Sequence, residues 1–318
     1  MQSVLVTGGA GFIGSHFCER LVREGIHTVC LDNLDDFYDP AVKKRNIASL
    51  LTSPLFENMV GDVRDLAFLR DLCRPRSFDG IVHLAARAGV RHSIQNPLLY
   101  EEVNIRGTLN ILEICREFHI QRLVFASSSS VYGEKAKIPF SEADPADSPI
   151  SPYGATKRAG EILCYTYHRL YGIDVACLRF FTTFGPRQRP EMAIHKFTRL
   201  IDQGEPVPVY GDGSSLRDYT YIEDIIDGLF KALQKNRGYE VYNLGESRTT
   251  RLVDLLKMLE TALGRKALVR HYPDQPGDVR ATWADITKAR QRLGYDPRFS
   301  MEEGIRRFVA WYRITRAS

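Results

Sequence analysis

Several features that would place this chain in other protein classes are missing from its sequence. No apolar run among its 318 residues approaches the roughly 20 residues that a membrane-spanning helix needs. The sequence begins directly with an apolar, strand-like segment, so we expect no signal peptide. The Lys and Arg residues are dispersed and form no block typical of nucleic-acid-binding arms. We therefore expect neither a membrane nor a nucleic acid as a partner.

Cysteine is scarce, and no two cysteines form a Cys-x-x-Cys pair. The six residues lie mostly within apolar segments, at Cys18, Cys30, Cys73, Cys115, Cys164 and Cys177. This pattern is typical of reduced thiols in the core of a cytoplasmic protein. We therefore predict a cytoplasmic location and no metal site.

The composition that remains is that of an ordinary globular protein, with 44% hydrophobic and 26% charged residues. The length allows one large domain or two moderate ones. The net charge of +4 is compatible with an acidic small substrate.

Strand-like and helix-like segments alternate along the first part of the chain. The expected strands are Ser3 to Thr7, His27 to Leu31, Asn58 to Gly61, Gly80 to Leu84, Arg122 to Ala126 and Asp174 to Phe180. The expected helices are Ile13 to Glu24, Leu66 to Cys73, Tyr100 to His119 and Pro152 to Tyr171. Such alternation with short joints predicts an α/β fold with a Rossmann-type, doubly wound parallel sheet.

The pattern changes after about Gly185, where proline and glycine become frequent and the segments shorten. We predict that residues 1–184 form the sheet domain. Residues 185–318 should form mainly a smaller, mixed α/β lobe that binds a substrate over the carboxyl edge of the sheet, with room for some segments to return to the first domain.

A glycine-rich segment, Thr7-Gly8-Gly9-Ala10-Gly11-Phe12-Ile13-Gly14, links the first strand to the first helix. Glycines in this context permit a tight turn and close approach of the backbone to a pyrophosphate at the helix N-terminus. Asp32 ends the second strand, 18 residues after Gly14. A carboxylate there accepts hydrogen bonds from ribose hydroxyls and repels a 2′-phosphate, which favours NAD over NADP.

Asp62 and Val63 follow the third strand, where they are placed to meet the adenine ring. Asp62 could instead cap the helix that begins at Leu66, and both roles could hold.

Tyr153 and Lys157 are four residues apart near the start of a predicted helix, so they share one helix face. An ammonium beside a phenol lowers the pKa of the phenol, so Tyr153 could act as an acid or base near neutral pH. The fifth strand ends in four serines, Ser127 to Ser130. A hydroxyl at that strand end could bind the same reacting oxygen.

These motifs together make the chain similar to the extended short-chain dehydrogenase/reductase family over essentially its whole length. Further matches, in chain order, are Leu178-Arg179-Phe180-Phe181, Tyr210-Gly211-Asp212-Gly213, Arg217-Asp218-Tyr219, Asn243-Leu244-Gly245 and Ala284-Asp285. The resemblance implies an enzyme that uses NAD and acts on a nucleotide sugar.

The resemblance also implies catalytic and cofactor-binding roles. Tyr153 would be the acid/base, and Lys157 would hold the nicotinamide ribose and tune Tyr153. Ser128 would be the catalytic serine, with Ser127 as the second choice. Cofactor contacts would come from Gly8, Gly11, Phe12, Ile13, Gly14, Asp32, Asn33, Asp62, Val63, Leu84, Ala85, Ala86, Asn104, Tyr153 and Lys157.

The residues after the serine cluster distinguish reactions within the family. The 4,6-dehydratases carry Thr-Asp-Glu there, whereas this chain has Ser128-Ser129-Ser130 and lacks both acids. Dehydration is therefore disfavoured, and decarboxylation is disfavoured because its enzymes also carry an acid in this cluster. A cofactor sensor without catalysis is disfavoured because Tyr153 and Lys157 are both present. Epimerisation needs only reversible hydride transfer at one carbon and consumes no external reductant.

Three segments resemble those of UDP-glucuronate 4-epimerases in this family, namely Asp32 to Pro40 followed by Lys43-Lys44-Arg45, Ala88 to Ser93, and Phe181 to Pro190. By this resemblance Thr182 and Arg189 would bind the sugar carboxylate, which suits a bidentate guanidinium contact. The same clamp would protect the β-keto acid formed by oxidation at C4 from losing carbon dioxide. The expected reaction is 4-epimerisation of UDP-glucuronate to UDP-galacturonate, and the alternative is 4-epimerisation of UDP-glucose or UDP-N-acetylglucosamine.

Other expectations concern the nucleotide end and the assembly. Arg217 would grip the pyrophosphate of the UDP-sugar, and Asp278 and Arg280 would close over the nucleotide. The family often dimerises through two long helices, so we expect a homodimer. Arg87 adds a cation near the expected active-site mouth, and the sequence leaves its partner open.

Overall fold

The computed structural model describes residues 1–134, 137–273 and 279–317. Its strands are β1 (Ser3–Thr7), β2 (His27–Asp32), β3 (Phe56–Val60), β4 (Gly80–His83), β5 (Arg122–Ser128), β6 (Asp174–Phe180), β7 (Thr182–Phe184), β8 (Pro206–Tyr210), β9 (Leu216–Arg217), β10 (Tyr219–Tyr221), β11 (Tyr239–Leu244), β12 (Thr250–Arg251) and β13 (Leu268–Tyr272). Its α-helices are α1 (Phe12–Arg23), α2 (Pro40–Ile47), α3 (Leu66–Cys73), α4 (Val90–Gln95), α5 (Pro97–Glu101), α6 (Gly107–Glu117), α7 (Pro152–Tyr171), α8 (Ala193–Gln203), α9 (Ile222–Lys235), α10 (Leu252–Leu263), α11 (Thr287–Leu293) and α12 (Met301–Ala317).

Seven parallel strands form the central sheet in the order β11-β6-β5-β4-β1-β2-β3. Val4 and Val6 of β1 belong to one buried core cluster, and Leu5 between them belongs to the other, so both faces of the sheet are covered. The strand order reverses around β1, and a crevice opens at the carboxyl ends of the strands there. The predicted α/β fold with a doubly wound parallel sheet is confirmed.

Part of the chain after residue 185 belongs to this sheet. β11 pairs in parallel with β6, from Tyr239 opposite Val175 to Leu244 opposite Phe180. α9 contacts α1 and β5. The remaining strands form three small sheets, in which β10 pairs with β7, β13 with β8 and β12 with β9, while α10 packs against α8 and α12.

The helix predicted from Tyr100 to His119 differs from the structure. The helical segment begins earlier, with α5, and contains a π-helical segment, Glu102–Arg106, before α6. A π-helical turn places an extra residue between successive hydrogen bonds, and hydrophobic periodicity alone does not reveal it. Asn104 lies in this turn.

The helix α7, by contrast, has the predicted bounds, because both its ends carry strong signals. Ser151 caps its N-terminus by accepting a hydrogen bond from the Gly154 N–H at 3.1 Å, and Pro152 occupies the first turn. Gly172 ends it in the left-handed conformation with a φ of 70°. Tyr153 and Lys157 therefore lie in the first two turns.

None of the helices in the described part of the chain is both long and apolar enough to cross a membrane. Within the same residues, no group of three or more His, Cys, Asp or Glu side chains is arranged to hold a metal ion. All six cysteines are free and buried.

Candidate active site

A cavity of about 370 Å³ opens at the carboxyl edge of the central sheet. It is lined by the catalytic candidates Ser127, Ser128, Tyr153 and Lys157 and by the carboxylate-binding candidates Thr182 and Arg189. Every predicted cofactor residue except Asn104 lines it as well, namely Gly8, Gly11, Phe12, Ile13, Gly14, Asp32, Asn33, Asp62, Val63, Leu84, Ala85, Ala86, Tyr153 and Lys157. One concave surface thus brings together the glycine loop, the acid/base candidate and the predicted carboxylate clamp.

The glycine loop has the geometry of a pyrophosphate cradle. Gly8 adopts a φ of 69°, which residues with a Cβ rarely adopt. A Cβ on Gly14 would lie 2.1 Å from the Gly8 carbonyl oxygen. No side chain caps α1 at Gly11, and no acidic residue lies in its first turn. The first N–H groups of α1 are therefore left for an anionic ligand in the cavity.

Asp32 is buried at the end of β2 and fixes the turn around it. Its Oδ2 accepts a hydrogen bond from the Ala10 N–H at 3.2 Å, and its Oδ1 accepts one from the Leu34 N–H at 2.9 Å. Lys43 of α2 brings its Nζ to 3.4 Å from Oδ1. From the sequence, Lys43 was noted only within the basic segment Lys43-Lys44-Arg45. The sequence of a short polar helix does not indicate which of its lysines faces inward.

Asp62 lies beside Asn33, whose Nδ2 donates to Asp62 Oδ2 at 3.0 Å. Partial burial raises the pKa of Asp62, but hydrogen bonds from Arg64 and Asn33 hold it at about 2. The alternative role as the cap of α3 is wrong. Asp65 caps that helix instead, accepting a hydrogen bond from the Phe68 N–H at 2.9 Å.

Asn104 is buried behind the cavity wall. Its Oδ1 accepts a hydrogen bond from the Arg87 N–H at 2.8 Å, and its Nδ2 donates to the Arg87 carbonyl at 3.0 Å. The same Nδ2 donates to Thr156 Oγ1 of α7 at 3.0 Å. Asn104 therefore fixes the segment after β4 relative to α7, and the π-helical turn is what aims it there.

Tyr153 and Lys157 reach the cavity from α7. Burial raises the pKa of Tyr153 above its usual value. A hydrogen bond with Ser128 and the charge of Arg189 oppose this shift but do not cancel it. Lys157 is buried, and its Nζ donates to the Ala126 carbonyl at 2.7 Å. Burial lowers the pKa of Lys157 to about 8. The groups that lower the phenol pKa here are thus Ser128 and Arg189, whereas the sequence pointed to Lys157.

The two candidate serines have different partners. Ser127 Oγ donates to Oε1 of the fully buried Glu161 at 2.6 Å. Ser128 Oγ donates to Ser130 Oγ at 3.2 Å and accepts from the Ser130 N–H at 3.1 Å. Because Ser128 is also the serine whose side chain lowers the pKa of Tyr153, we favour it for contact with a reacting oxygen.

Thr182 and Arg189 line the same cavity. Arg189 Nε is 3.1 Å from Glu191 Oε1, and the Arg189 guanidinium carbon is 5.9 Å from the centre of the Phe37 ring. The guanidinium is half-buried, which strengthens its contact with an anion relative to one in open water.

Arg87 has a defined partner that the sequence left open. Its Nη2 is 2.7 Å from Asp35 Oδ2. Asp35 belongs to the loop between β2 and α2, a segment that carries the family resemblance, but no residue of it after Asn33 was predicted to line the site. Cavity residues from this loop and from the segments after it and after β6 are Asp35, Phe37, Tyr38, Lys43, Thr183 and Met192. The available signal was the density of Asn and Asp residues in this loop, since such side chains can bond the backbone two residues on.

The predicted nucleotide contacts lie elsewhere. Arg217 does not line the cavity, and its Nη1 donates to the carbonyls of Leu216 at 2.9 Å and Arg280 at 3.4 Å. Arg217 and Arg280 are thus neighbours in the C-terminal part of the chain. Asp278 lies outside the described residues.

Comparison with known proteins gives consistent matches over nearly the whole chain. A family model described as GDP-mannose 4,6 dehydratase matches residues 5–308. A UDP-glucuronate 4-epimerase from Thermodesulfobacterium geofontis is 42% identical over 312 residues, which cover 98% of this chain and 96% of that protein.

Solved structures give the same result. The UDP-glucuronic acid 4-epimerase from Bacillus cereus, in complex with UDP-glucuronic acid and NAD, has a TM-score of 0.92 and 37% identity, covering 99% of this chain and 100% of that chain. The UDP-glucose 4-epimerase from Thermotoga maritima, with UDP-glucose, also has a TM-score of 0.92, with 32% identity and 99% of both chains covered.

Proposed function

The chain belongs to the GDP-mannose 4,6-dehydratase family, within the extended short-chain dehydrogenase/reductases, and we propose that it interconverts UDP-glucuronate and UDP-galacturonate as an NAD-dependent 4-epimerase. The observation that carries this proposal is that Thr182 and Arg189 share one cavity with Tyr153. A uronate differs from a neutral sugar by a carboxylate, and a guanidinium binds a carboxylate through two parallel hydrogen bonds.

The cofactor site fits NAD. The glycine loop and the N-terminus of α1 suit a pyrophosphate, and Asp32 suits the ribose hydroxyls while repelling a 2′-phosphate. Bound NAD would supply the chemistry of accepting a hydride from C4 of the sugar and returning it to the other face. Lys157 would hold the nicotinamide ribose.

Side chains of this protein transfer the proton of the 4-hydroxyl group. Tyr153 takes that proton as C4 is oxidised and returns it as C4 is reduced, while Ser128 hydrogen-bonds to the same oxygen. Lys157 lies one helical turn after Tyr153 on α7, with its Nζ donating to the Ala126 carbonyl at 2.7 Å, and burial lowers its pKa to about 8. No external reductant is consumed, which suits a cofactor that stays bound.

Arg189 has a second task once C4 is a ketone. The intermediate is then a β-keto acid. It loses carbon dioxide when the bond that joins its carboxylate to the sugar ring aligns with the π system of the C4 carbonyl. Thr182 and Arg189 hold the carboxylate in a fixed orientation, which protects the intermediate until C4 is reduced again.

Residues 1–184 then form the NAD-binding and catalytic domain, and residues 185–318 mainly the nucleotide-sugar lobe, from which β11 returns to the sheet. Arg217 and Arg280 would bind the nucleotide end of UDP-glucuronate, since both lie in this lobe as neighbours. Asp278 is assigned the same task by resemblance alone.

The same catalytic arrangement would serve UDP-glucose or UDP-N-acetylglucosamine. The specific observation in favour of this alternative is the TM-score of 0.92 with a UDP-glucose 4-epimerase. Neither sugar offers a carboxylate to Arg189, so the uronate is preferred.

We also propose a cytoplasmic homodimer, and two features of the described residues support it. Apolar side chains are exposed on α5 and α7, among them Leu98 (77%), Ile162 (52%), Tyr165 (50%) and Leu170 (65%). A homodimer that packs these helices together would bury them. The six free cysteines suit the reducing cytoplasm.

The proposal is tested by incubating purified protein with UDP-glucuronate and following the sugar by proton NMR, without added cofactor. We expect UDP-galacturonate to appear. An Arg189→Ala variant should have roughly 10- to 100-fold lower kcat/KM, the size of a lost charge-assisted hydrogen bond.

Arg187→Ala is the matched control, because that guanidinium pairs with Glu19 at 2.5 Å and does not line the cavity. It should keep wild-type turnover. Conversion of UDP-glucose or UDP-N-acetylglucosamine, with no turnover of UDP-glucuronate even after addition of NAD, would contradict the proposal.

A further inference from the structure

The loop between β2 and α2 runs along the wall of the cavity from Asp32 to Tyr38. Its course is fixed by three side-chain-to-backbone hydrogen bonds that each span two residues. Asp32 Oδ1 accepts from Leu34 N at 2.9 Å, Asn33 Oδ1 from Asp35 N at 3.0 Å, and Asp35 Oδ1 from Phe37 N at 2.8 Å. A loop held this way presents Phe37 in a defined position.

The Phe37 ring lies among cations. The guanidinium carbon of Arg87 is 5.3 Å from its centre, and that of Arg189 is 5.9 Å from it. The ring of His92 meets Phe37 edge-on, with 4.9 Å between ring centres. Both guanidinium distances are within the range at which an aromatic ring attracts a cation. Phe37 itself lines the cavity.

The two guanidiniums are not equivalent. Arg87 is neutralised by Asp35, with Nη2 and Oδ2 2.7 Å apart, and its backbone is held by Asn104. Arg189 is held at Nε by Glu191 at 3.1 Å. Its two Nη nitrogens form no hydrogen bond with any residue in the ranges 1–134, 137–273 and 279–317. Arg87 is thus committed to the loop, and Arg189 keeps its Nη edge for a ligand.

We propose that Phe37 is a specificity-determining positioning residue, which supports the guanidinium of Arg189 so that its Nη edge faces the substrate carboxylate. The Asp35–Arg87 ion pair holds the loop that presents the ring. This inference rests on the proposed function and deepens it, because it assigns uronate preference to a loop that starts at the cofactor acid Asp32. Phe37 acts through Arg189 and touches no reacting atom.

The test compares Phe37→Leu, which keeps apolar bulk but removes the π face, with Phe37→Tyr, which keeps the ring. Dissociation constants of UDP-glucuronate and UDP-glucose are measured by calorimetry on the NAD-loaded enzyme. Phe37→Leu should weaken binding of UDP-glucuronate about tenfold, the size of a partly desolvated cation–π contact, while UDP-glucose binding stays nearly unchanged. Phe37→Tyr should restore the wild-type preference.

A second variant, Asp35→Asn, releases Arg87 without changing the ring and should reduce uronate preference in the same direction by a smaller factor. Bound NAD, measured by absorbance after denaturation, should be unchanged in the Phe37 variants. Equal weakening of both sugars by Phe37→Leu, or a preserved uronate preference, would overturn the inference alone. A wild-type enzyme that turns over only neutral sugars would instead overturn the proposed function, so the two failures are distinguishable.

Discussion

The sheet half and the C-terminal half each bury a glutamate, and the two carboxylates have different neighbours. Glu161 of α7 is fully buried, and its Oε2 is 2.8 Å from Nη2 of Arg179, which is itself only 3% exposed. Glu246, between β11 and β12, has an 11% exposed side chain. Its cation, Arg248, is 4.0 Å away, with 80% of its side chain in solvent.

The pKa of Glu161 lies below the usual value for a glutamate, and that of Glu246 lies above it. Burial raises the pKa of Glu161, but the hydrogen bond and charge of Arg179 outweigh it and hold the pKa below its usual value. Burial, followed by the charge of Asp218, raises the pKa of Glu246 to about 7. A buried carboxylate is therefore kept charged or allowed to become neutral according to whether a buried cation lies beside it.

The two glutamates should consequently contribute to stability with opposite dependence on pH. Glu161 has a folded-state pKa below its unfolded value, so its contribution to stability is present at neutral pH and lost as pH falls through the folded value. Glu246 has a raised folded-state pKa, so its contribution is present below roughly pH 4.3 and lost as pH rises through about 7.

The largest expected effect is from Glu161→Gln. The variant leaves the Arg179 charge buried without a counter-charge, which should lower the free energy of unfolding by about 3–5 kcal/mol. Urea denaturation at pH 7 measures this. Arg158→Ala is the control, because Arg158 also pairs with Glu161, at 3.0 Å, but is a third exposed and should cost less than about 1 kcal/mol. If both variants lowered the free energy of unfolding equally, the buried and the exposed ion pairs of Glu161 would contribute equally to stability, contrary to this prediction.

The sequence predicted the sheet half well because its signals are local. The β-branched run from Ser3 to Thr7, the glycine triplet and the Ser151 and Gly172 ends of α7 each specify backbone geometry by themselves. The fold class and the family resemblance that were predicted from these signals are confirmed. The difference between the pKa shifts of Glu161 and Glu246 could not be predicted. Each shift depends on which residues from distant parts of the chain lie beside the carboxylate in the folded protein.

The next effect in size is from Glu246→Gln, which cannot ionise and keeps the side-chain shape. At pH 8 it should stabilise the protein by on the order of 1 kcal/mol, a figure reduced because the carboxylate retains some contact with solvent. The difference from wild type should vanish near pH 4. Thermal unfolding across this pH range measures it. Glu240→Gln is the control, because Glu240 lies on β11, just before Glu246, but is paired with Lys288 at 2.7 Å. It should show no such gain, and a gain from Glu246→Gln at pH 4 equal to that at pH 8 would contradict the assignment.

The candidate site shows the same limit of sequence reasoning. Gly8, Asp32 and Tyr153 were found because their motifs have fixed spacing along the chain. Lys43 and Phe37 were not singled out, because a lysine in a polar helix and an aromatic residue in a loop have meaning only once the loop has folded over the cavity. Asn104 was predicted to contact the cofactor, but it does not line the cavity, and its amide instead holds the Arg87 backbone from a π-helical turn that periodicity does not reveal.

The smallest expected effect on stability concerns the adjacent serines at the end of β5. Ser127→Ala removes one hydrogen bond to Glu161, which should lower the free energy of unfolding by about 1 kcal/mol. Turnover should change little, because that hydroxyl is committed to the ion pair beneath the cavity. Ser128→Ala should leave stability nearly intact and lower kcat about 100-fold, because it removes the hydroxyl that we propose to meet the reacting oxygen. Urea denaturation and NMR turnover on the same two preparations measure both quantities. If Ser127→Ala loses as much activity as Ser128→Ala, the Glu161–Arg179 pair positions the catalytic strand end as well as stabilising it, and the catalytic and stabilising roles of the sheet half are not separable.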